Sequence, residues 1–244
     1  MNSKQLKELK ELKATQRTQM ILALDVDSFS KAKYFVDLLY PRVKIFKVGL
    51  QLFIACGGKI IRYIREKGGR IFLDLKFYDI PNTAANASRE VVRMGGIEMF
   101  TVHTQGGPEM MQRVKGAVRE EACRLGIKAP LIIGVTLLTS EAQSSKITPL
   151  VISLTRAART AGLDGVVASV KETGRLRQEF GGDLIIVTPG IRLAGGEKGD
   201  QRRIAAPEEA KGAGSNYIVA GRPILEAKNP LAITRAIIKR IDSA

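Results

Sequence analysis

Short apolar, β-branched runs alternate with longer helix-like stretches along this chain, and the alternation repeats eight times. The runs are MILALD at 20–25, VKIFKVG at 43–49, RIFLDLK at 70–76 and IEMFTVH at 97–103. LIIGVTL at 131–137, DGVVASV at 164–170, DLIIVTPG at 183–190 and NYIVAG at 216–221 complete the set. Helical patterns lie between them, for instance at 28–40, 52–68, 108–126 and 229–241. Runs so continuous in apolar residues suit parallel strands covered on both faces by helices. Eight of them, each followed by a helical segment, predict a single (β/α)8 barrel over residues 20–244. A doubly wound open sheet would want a glycine-rich first turn. No G-x-G-x-x-G follows the first run, and no G-x-x-x-x-G-K-[ST] occurs anywhere. Residues 1–19 stand outside the eight units. Leu6, Leu9 and Leu12 recur there among Lys and Glu, which predicts a short amphipathic helix packed on the barrel or frayed in solvent.

Composition narrows the function classes. No stretch approaches the roughly 20 apolar residues of a membrane-spanning helix. The charged N-terminus lacks the apolar region of a secretory signal. Two cysteines, Cys56 and Cys123, cannot build a disulfide framework and suit a reducing, cytoplasmic setting. One histidine, His103, makes HExxH, Cys2His2 and three-His zinc schemes impossible. The net charge of +15 has two readings: phosphate neutralisation on a nucleic acid, or a surface field that attracts small anionic substrates. Basic residues run from Lys4 to Arg240 without a dense block, and there is no Trp for base stacking. No nucleic-acid partner is therefore expected.

In a (β/α)8 barrel, catalytic groups lie at the C-terminal ends of the strands. Strand 1 ends at Asp25, strand 2 presents Lys47, and strand 3 presents Asp74 and Lys76. The last two are two residues apart, so they share a face. With Leu73 and Leu75 turned to the helices, that face is the barrel interior. A structural ion pair would explain Asp74 and Lys76 alone. Lys47 on the next strand adds a second ammonium to one carboxylate, an arrangement that can hold an acidic substrate and keep a lysine ready as proton donor. Strands 7 and 8 run into TPGIR and AGRPI. Gly190 with Arg192, and Gly221 with Arg222, form either plain tight turns or a phosphate grip at the place where this fold often binds phosphate. His103 reads as a satisfied core histidine rather than a general base. The loops at 138–147 and 191–203 read as mobile, the second as a surface loop or as a lid over an anion.

At these residues the chain resembles the orotidine 5′-phosphate decarboxylase family. DLKFYDIPNT at 74–83 fits that family's D-x-K-x-x-D-I-P-N-T signature. The likeness continues through ALD at 23–25, FKVG at 46–49, VHTQGG at 102–107, LLTS at 137–140, VTPGIR at 187–192, GDQRR at 199–203 and VAGRPI at 219–224. Tyr78 stands where many members have histidine. The resemblance implies a homodimer of barrels that converts orotidine 5′-monophosphate to UMP and CO2 in pyrimidine biosynthesis, with neither metal nor organic cofactor. It implies a charged array of Lys47, Asp74 and Lys76 completed by Asp79 of the partner subunit, with Lys76 as proton donor. Asp25, Lys47, Asp79 and Thr83 would touch the ribose, Ile80 the substrate, and Thr139 the pyrimidine edge. Arg192, Gln201, Gly221 and Arg222 would hold the phosphate, Gln201 from the lid. Magnesium-dependent phosphosugar decarboxylases and synthases of the same barrel type share the D-x-K-x-x-D core but lack the I-P-N-T continuation.

Overall fold

The computed structural model describes residues 18–138, 147–193 and 204–243. The extension with Leu6, Leu9 and Leu12 lies outside them. Eight strands close into a barrel in chain order: β1 Gln19–Ala23, β2 Ile45–Gly49, β3 Arg70–Phe77, β4 Ile97–His103, β5 Leu131–Val135, β6 Gly165–Val167, β7 Ile185–Thr188 and β8 Tyr217–Ala220. Every neighbouring pair is parallel, and β8 returns to β1 with Tyr217 beside Gln19.

Two apolar shells hold this barrel. Residues of one parity, among them Ile21, Ala23, Ile45, Phe72, Met99, Ile133, Val187 and Val219, fill its inside. Residues of the other parity, including Leu22, Phe46, Leu73, Phe100, Ile132, Ile186 and Ile218, pack outward under the helices. Alternation along each strand sends successive side chains into the two shells. That parity positions the site: continuing inward from Ala23, Ile45, Phe72 and Met99 in steps of two reaches Asp25, Lys47, Asp74 and Thr101.

The helices are α1 Phe29–Leu39, α2 Leu50–Cys56, α3 Gly58–Glu66, α4 Pro81–Met94, α5 Gly107–Leu125, α6 Ile147–Thr160, α7 Val170–Phe180, α8 Pro207–Gly212, α9 Arg222–Leu225 and α10 Pro230–Ser243. Their ends follow local chemistry. The Ser28 side chain caps α1 by accepting from the Lys31 N–H. Pro81, Pro207 and Pro230 open helices where a missing N–H costs nothing. Gly126, left-handed at φ 63°, closes α5.

Several strands are shorter than the sequence runs, β1 ending at Ala23 and β5 at Val135, and three departures have a local cause. The helical pattern at 52–68 is two helices, because Gly57 at φ 53° breaks it. The run at 164–170 yields only a three-residue strand, since Ser169 already stands at the N-cap of α7. The run at 183–190 is strand only over Ile185–Thr188, and the chain leaves the sheet at Pro189 and Gly190.

Candidate active site

At the C-terminal ends of the strands a cavity of about 590 Å³ opens to solvent. Asp25, Lys47, Asp74 and Lys76 line it at and beyond the ends of β1, β2 and β3, and Gly190, Arg192, Gly221 and Arg222 line it beyond the ends of β7 and β8. Val135, Leu137 and Val167 form part of the apolar wall between them.

Lys47 is the hinge of the charged side. Its Nζ lies 2.8 Å from Asp25 Oδ1 and 3.6 Å from Asp74 Oδ2. Gly49 makes this possible, because a Cβ there would sit 3.0 Å from Lys47 Nζ and 3.4 Å from Asp25 Oδ1. Lys76 Nζ lies 2.9 Å from both oxygens of Asp74. Burial opposes the charge on Lys47, but the Asp74 and Asp25 carboxylates outweigh it and hold its pKa above the usual lysine value. Burial likewise favours neutral Asp74, yet Lys47 and Lys76 hold its pKa below the ordinary carboxylate range. Asp74 is therefore an anion clamped between two cations, and the array is charged at neutral pH.

Simple alternation does not bring Asp74 and Lys76 together unaided. Leu73 pairs with Phe100 and Phe77 with Val102, so four steps along β3 face two along β4. Lys76 lies in this bulge at φ 51°, the one non-glycine residue with positive φ among those described. A left-handed lysine costs roughly 1–2 kcal/mol and persists only where its surroundings impose it. The imposing group is Thr101 on β4, 1% exposed, which was absent from the candidate residues. Its hydroxyl accepts from the Lys76 backbone N–H at 2.9 Å and donates to Asp74 Oδ1 at 2.9 Å. The parity that found Lys47 and Asp74 also points to Thr101, two residues before His103. His103 ends β4, its ring 5.5 Å from that of Tyr78.

Beyond β7, Arg192 is 9% exposed and follows Ile191, which bridges to Ala205. Arg192 N–H donates to Ala205 O, and Ala205 N–H to Gly190 O, tying Gly190–Arg192 to Ala205. Gly221 allows close approach: a Cβ there would lie 3.1 Å from Ala23 Cβ and 3.7 Å from Asp25 Oδ2. The helix behind it, α9, spans only Arg222–Leu225, too short to present much of a helix dipole to the cavity.

Three expected site residues are not in the cavity. Asp79, Ile80 and Thr83 are exposed on the β3–α4 connection and at the start of α4. Asp79 Oδ1 accepts from the adjacent Ile80 N–H. Thr139 and Gln201, and with them most of both loops read as mobile, lie outside the described residues.

A parallel barrel whose mouth gathers a lysine–aspartate array and two arginines around one cavity has the makings of an enzyme site. The chain belongs to the orotidine 5′-phosphate decarboxylase / HUMPS family, whose model matches residues 18–237. It is 45% identical to the orotidine 5′-phosphate decarboxylase of Moorella thermoacetica, over 93% of each chain. It is 44% identical to that of Syntrophotalea carbinolica, over 93% of this chain and 96% of the relative. The crystal structure of orotidine 5′-phosphate decarboxylase from Lactobacillus acidophilus matches with a TM-score of 0.79 at 34% identity, over 93% of this chain and 99% of that one.

Proposed function

We propose that this chain converts orotidine 5′-phosphate to UMP and CO2, the last step of UMP synthesis, with Lys76 as proton donor. The observation that carries the reading is the Lys76 ammonium 2.9 Å from both oxygens of the largely buried Asp74 carboxylate, in a cavity that Arg192 and Arg222 also line. Breaking the bond from C6 to the carboxylate leaves its electron pair on C6, in the plane of the ring, where no π system spreads it. A fixed cation at that carbon stabilises the charge as it develops. Lys76 Nζ then gives its proton to C6, ends as an amine, and is recharged from water. Asp74 and Lys47 orient the donor. Asp25 and Lys47 face the ribose, and Arg192, Gly221 and Arg222 take the phosphate, with Thr139 and Gln201 assigned to the pyrimidine edge and the phosphate lid.

Asp79, Ile80 and Thr83 serve the site of a second copy. This reading is supported by their exposure outside the cavity of their own chain, and by the exposed apolar side chains of Tyr78, next to Asp79 in sequence, and of Ile80 itself, which a homodimer would cover. Both cysteines are free thiols, which suits a cytoplasmic setting. Among the described residues no helix is long and apolar enough to cross a membrane.

The magnesium-dependent phosphosugar enzymes of the family are the second reading. Against it, Asp25 and Asp74 of the cavity are ion-paired to lysines, and among the described residues no three carboxylate, histidine or cysteine side chains, Glu226 of the cavity included, cluster as a donor set for a divalent cation. The deciding experiment follows the ultraviolet absorbance of orotidine 5′-monophosphate with purified protein in excess EDTA. Loss of the orotate chromophore with formation of UMP is expected. A flat trace from folded protein, with activity on a phosphosugar restored by Mg2+, would overturn the proposal.

A further inference from the structure

We propose that Thr101 is a positioning residue for this reaction: its hydroxyl ties the left-handed backbone of Lys76 to the carboxylate of Asp74, so that donor and anion keep one geometry. The proposal rests on the decarboxylase reading. A hydroxyl has one proton to give and two lone pairs to receive with, and Thr101 uses both capacities on the array. It accepts the Lys76 N–H at 2.9 Å and donates to Asp74 Oδ1 at 2.9 Å.

The bulge in β3 creates the need. With four steps of β3 set against two of β4, the Lys76 N–H turns to a side-chain acceptor rather than a ladder carbonyl. A buried N–H without an acceptor is costly, so the hydroxyl fixes where the left-handed residue can sit. The same hydroxyl occupies one lone pair of Asp74 Oδ1 and restricts the rotation of that carboxylate. Thr101 is 1% exposed and β-branched, so its own rotamer is locked by packing. It touches neither cavity nor solvent; its action passes through Lys76 and Asp74.

Removing the hydroxyl should therefore act on turnover more than on binding. It should also act on the pH profile. Asp74 is faced by Lys47 from β2 and Lys76 from its own strand, with Asp25 beyond Lys47 and Arg192, Arg222 and Glu226 elsewhere in the cavity lining. The Thr101 hydrogen bond adds to the two lysines in favouring the anion. Without it, Asp74 takes up a proton at higher pH, and the acid limb of activity moves up.

The experiment compares wild type, Thr101→Val and Thr101→Ser on orotidine 5′-monophosphate, with circular dichroism and thermal melts on each. Valine keeps shape and branching and removes both hydrogen bonds; serine keeps the hydroxyl. The expected result for Thr101→Val is a folded protein whose kcat falls about 10- to 100-fold, the scale of a misplaced catalytic group. Its KM should stay within about threefold, and its acid limb should move to higher pH. Thr101→Ser should restore kcat and pH profile to near wild type. Should Thr101→Val not fold, Thr101→Ala removes the hydroxyl without adding volume and is read in the same way. Wild-type kcat and acid limb in a folded variant lacking the hydroxyl would overturn the proposal. An inert wild type would sink the decarboxylase reading itself, whereas an active wild type matched by Thr101→Val sinks only the role of Thr101.

Discussion

The two ends of the barrel carry charged residues inside an apolar shell, yet they use them differently. At the N-terminal end, Arg70 donates to Glu98 Oε1 at 3.0 Å and to Gln19 Oε1 at 2.9 Å. Near it, Arg177 of α7 donates to the carbonyls of Gly214, Gly181 and Leu184 and to Asn216 Oδ1. These guanidinium groups spend their donors on backbone and side-chain acceptors of the same chain. At the C-terminal end, two ammonium groups share one carboxylate, and both line the cavity. Lys76 also holds a strained backbone there. Saturated charge closes the bottom of the barrel; charge with capacity to spare opens onto its mouth. The first kind should matter to stability and the second to turnover.

The largest separation is expected at Lys76. Lys76→Ala should lower turnover by at least about 10³-fold, since it removes both the cation at C6 and the proton. The variant should still fold and bind UMP, because the residues proposed to hold phosphate and ribose remain. Absorbance assays with calorimetric titration of UMP check this. Turnover close to wild type would remove Lys76 from the chemistry and erase the contrast at the mouth.

Asp79 tests whether the mouth is complete within one chain. Asp79→Asn and Lys76→Ala should each be inactive alone. Mixed with subunit exchange, half the dimers carry both chains, and each such dimer has one intact site, giving about a quarter of the wild-type rate. No recovery from verified mixed dimers would confine the site to one chain and leave Asp79 without a catalytic part.

The converse experiment is at the other end. Arg177→Ala strips a partner from four carbonyls, those of Gly214, Gly181, Gly182 and Leu184, and from Asn216, at a cost of about 3 kcal/mol, or roughly 10 °C in melting temperature. Its kcat at a temperature where it is folded should stay within about twofold of wild type, because no contact of Arg177 reaches the cavity. A large kcat loss without loss of stability would break the division between the two ends.

How much of this was legible beforehand differs between the ends for the same reason. Lys47, Asp74 and Lys76 could be read from period two, because polar residues at inward positions of apolar strands have few explanations. Thr101 obeys the same parity but passes as an ordinary strand residue, since threonine favours strands without any site. The bulge that turns Lys76 to φ 51° leaves no mark in the sequence, because no glycine stands there. Asp79 carried its meaning only through the family signature; its position in this chain is an exposed connection. The bottom network was invisible: the partners of Arg177 are mostly carbonyls, which every residue has, and Asn216 is 39 positions away. Likewise Gly57 could not be told from Gly58 as the residue that splits the helical pattern at 52–68.

The smallest expected effect sharpens the rule away from both ends. Glu121 of α5 is 4% exposed and is held by Arg124 and by Arg93 of α4, another saturated cluster. Hydrogen bonds from Arg124 and then Arg93 pull its pKa from 4.5 to about 2. Because the folded value is the lower one, the unfolded chain binds the proton first on acidification. The stabilising contribution is therefore complete above pH 4.5 and is lost as pH falls toward about 2. Glu121→Gln has no such group, so its stability should fall less steeply than that of wild type across this window. Urea unfolding at a series of pH values measures the two slopes. The decarboxylation profile near neutral pH should be the same for both proteins, since the array at the mouth titrates without reference to α5. Parallel slopes would mean that Glu121 is not held as an anion, and that burial between two arginines is no guide to where this fold stores its charge-dependent stability.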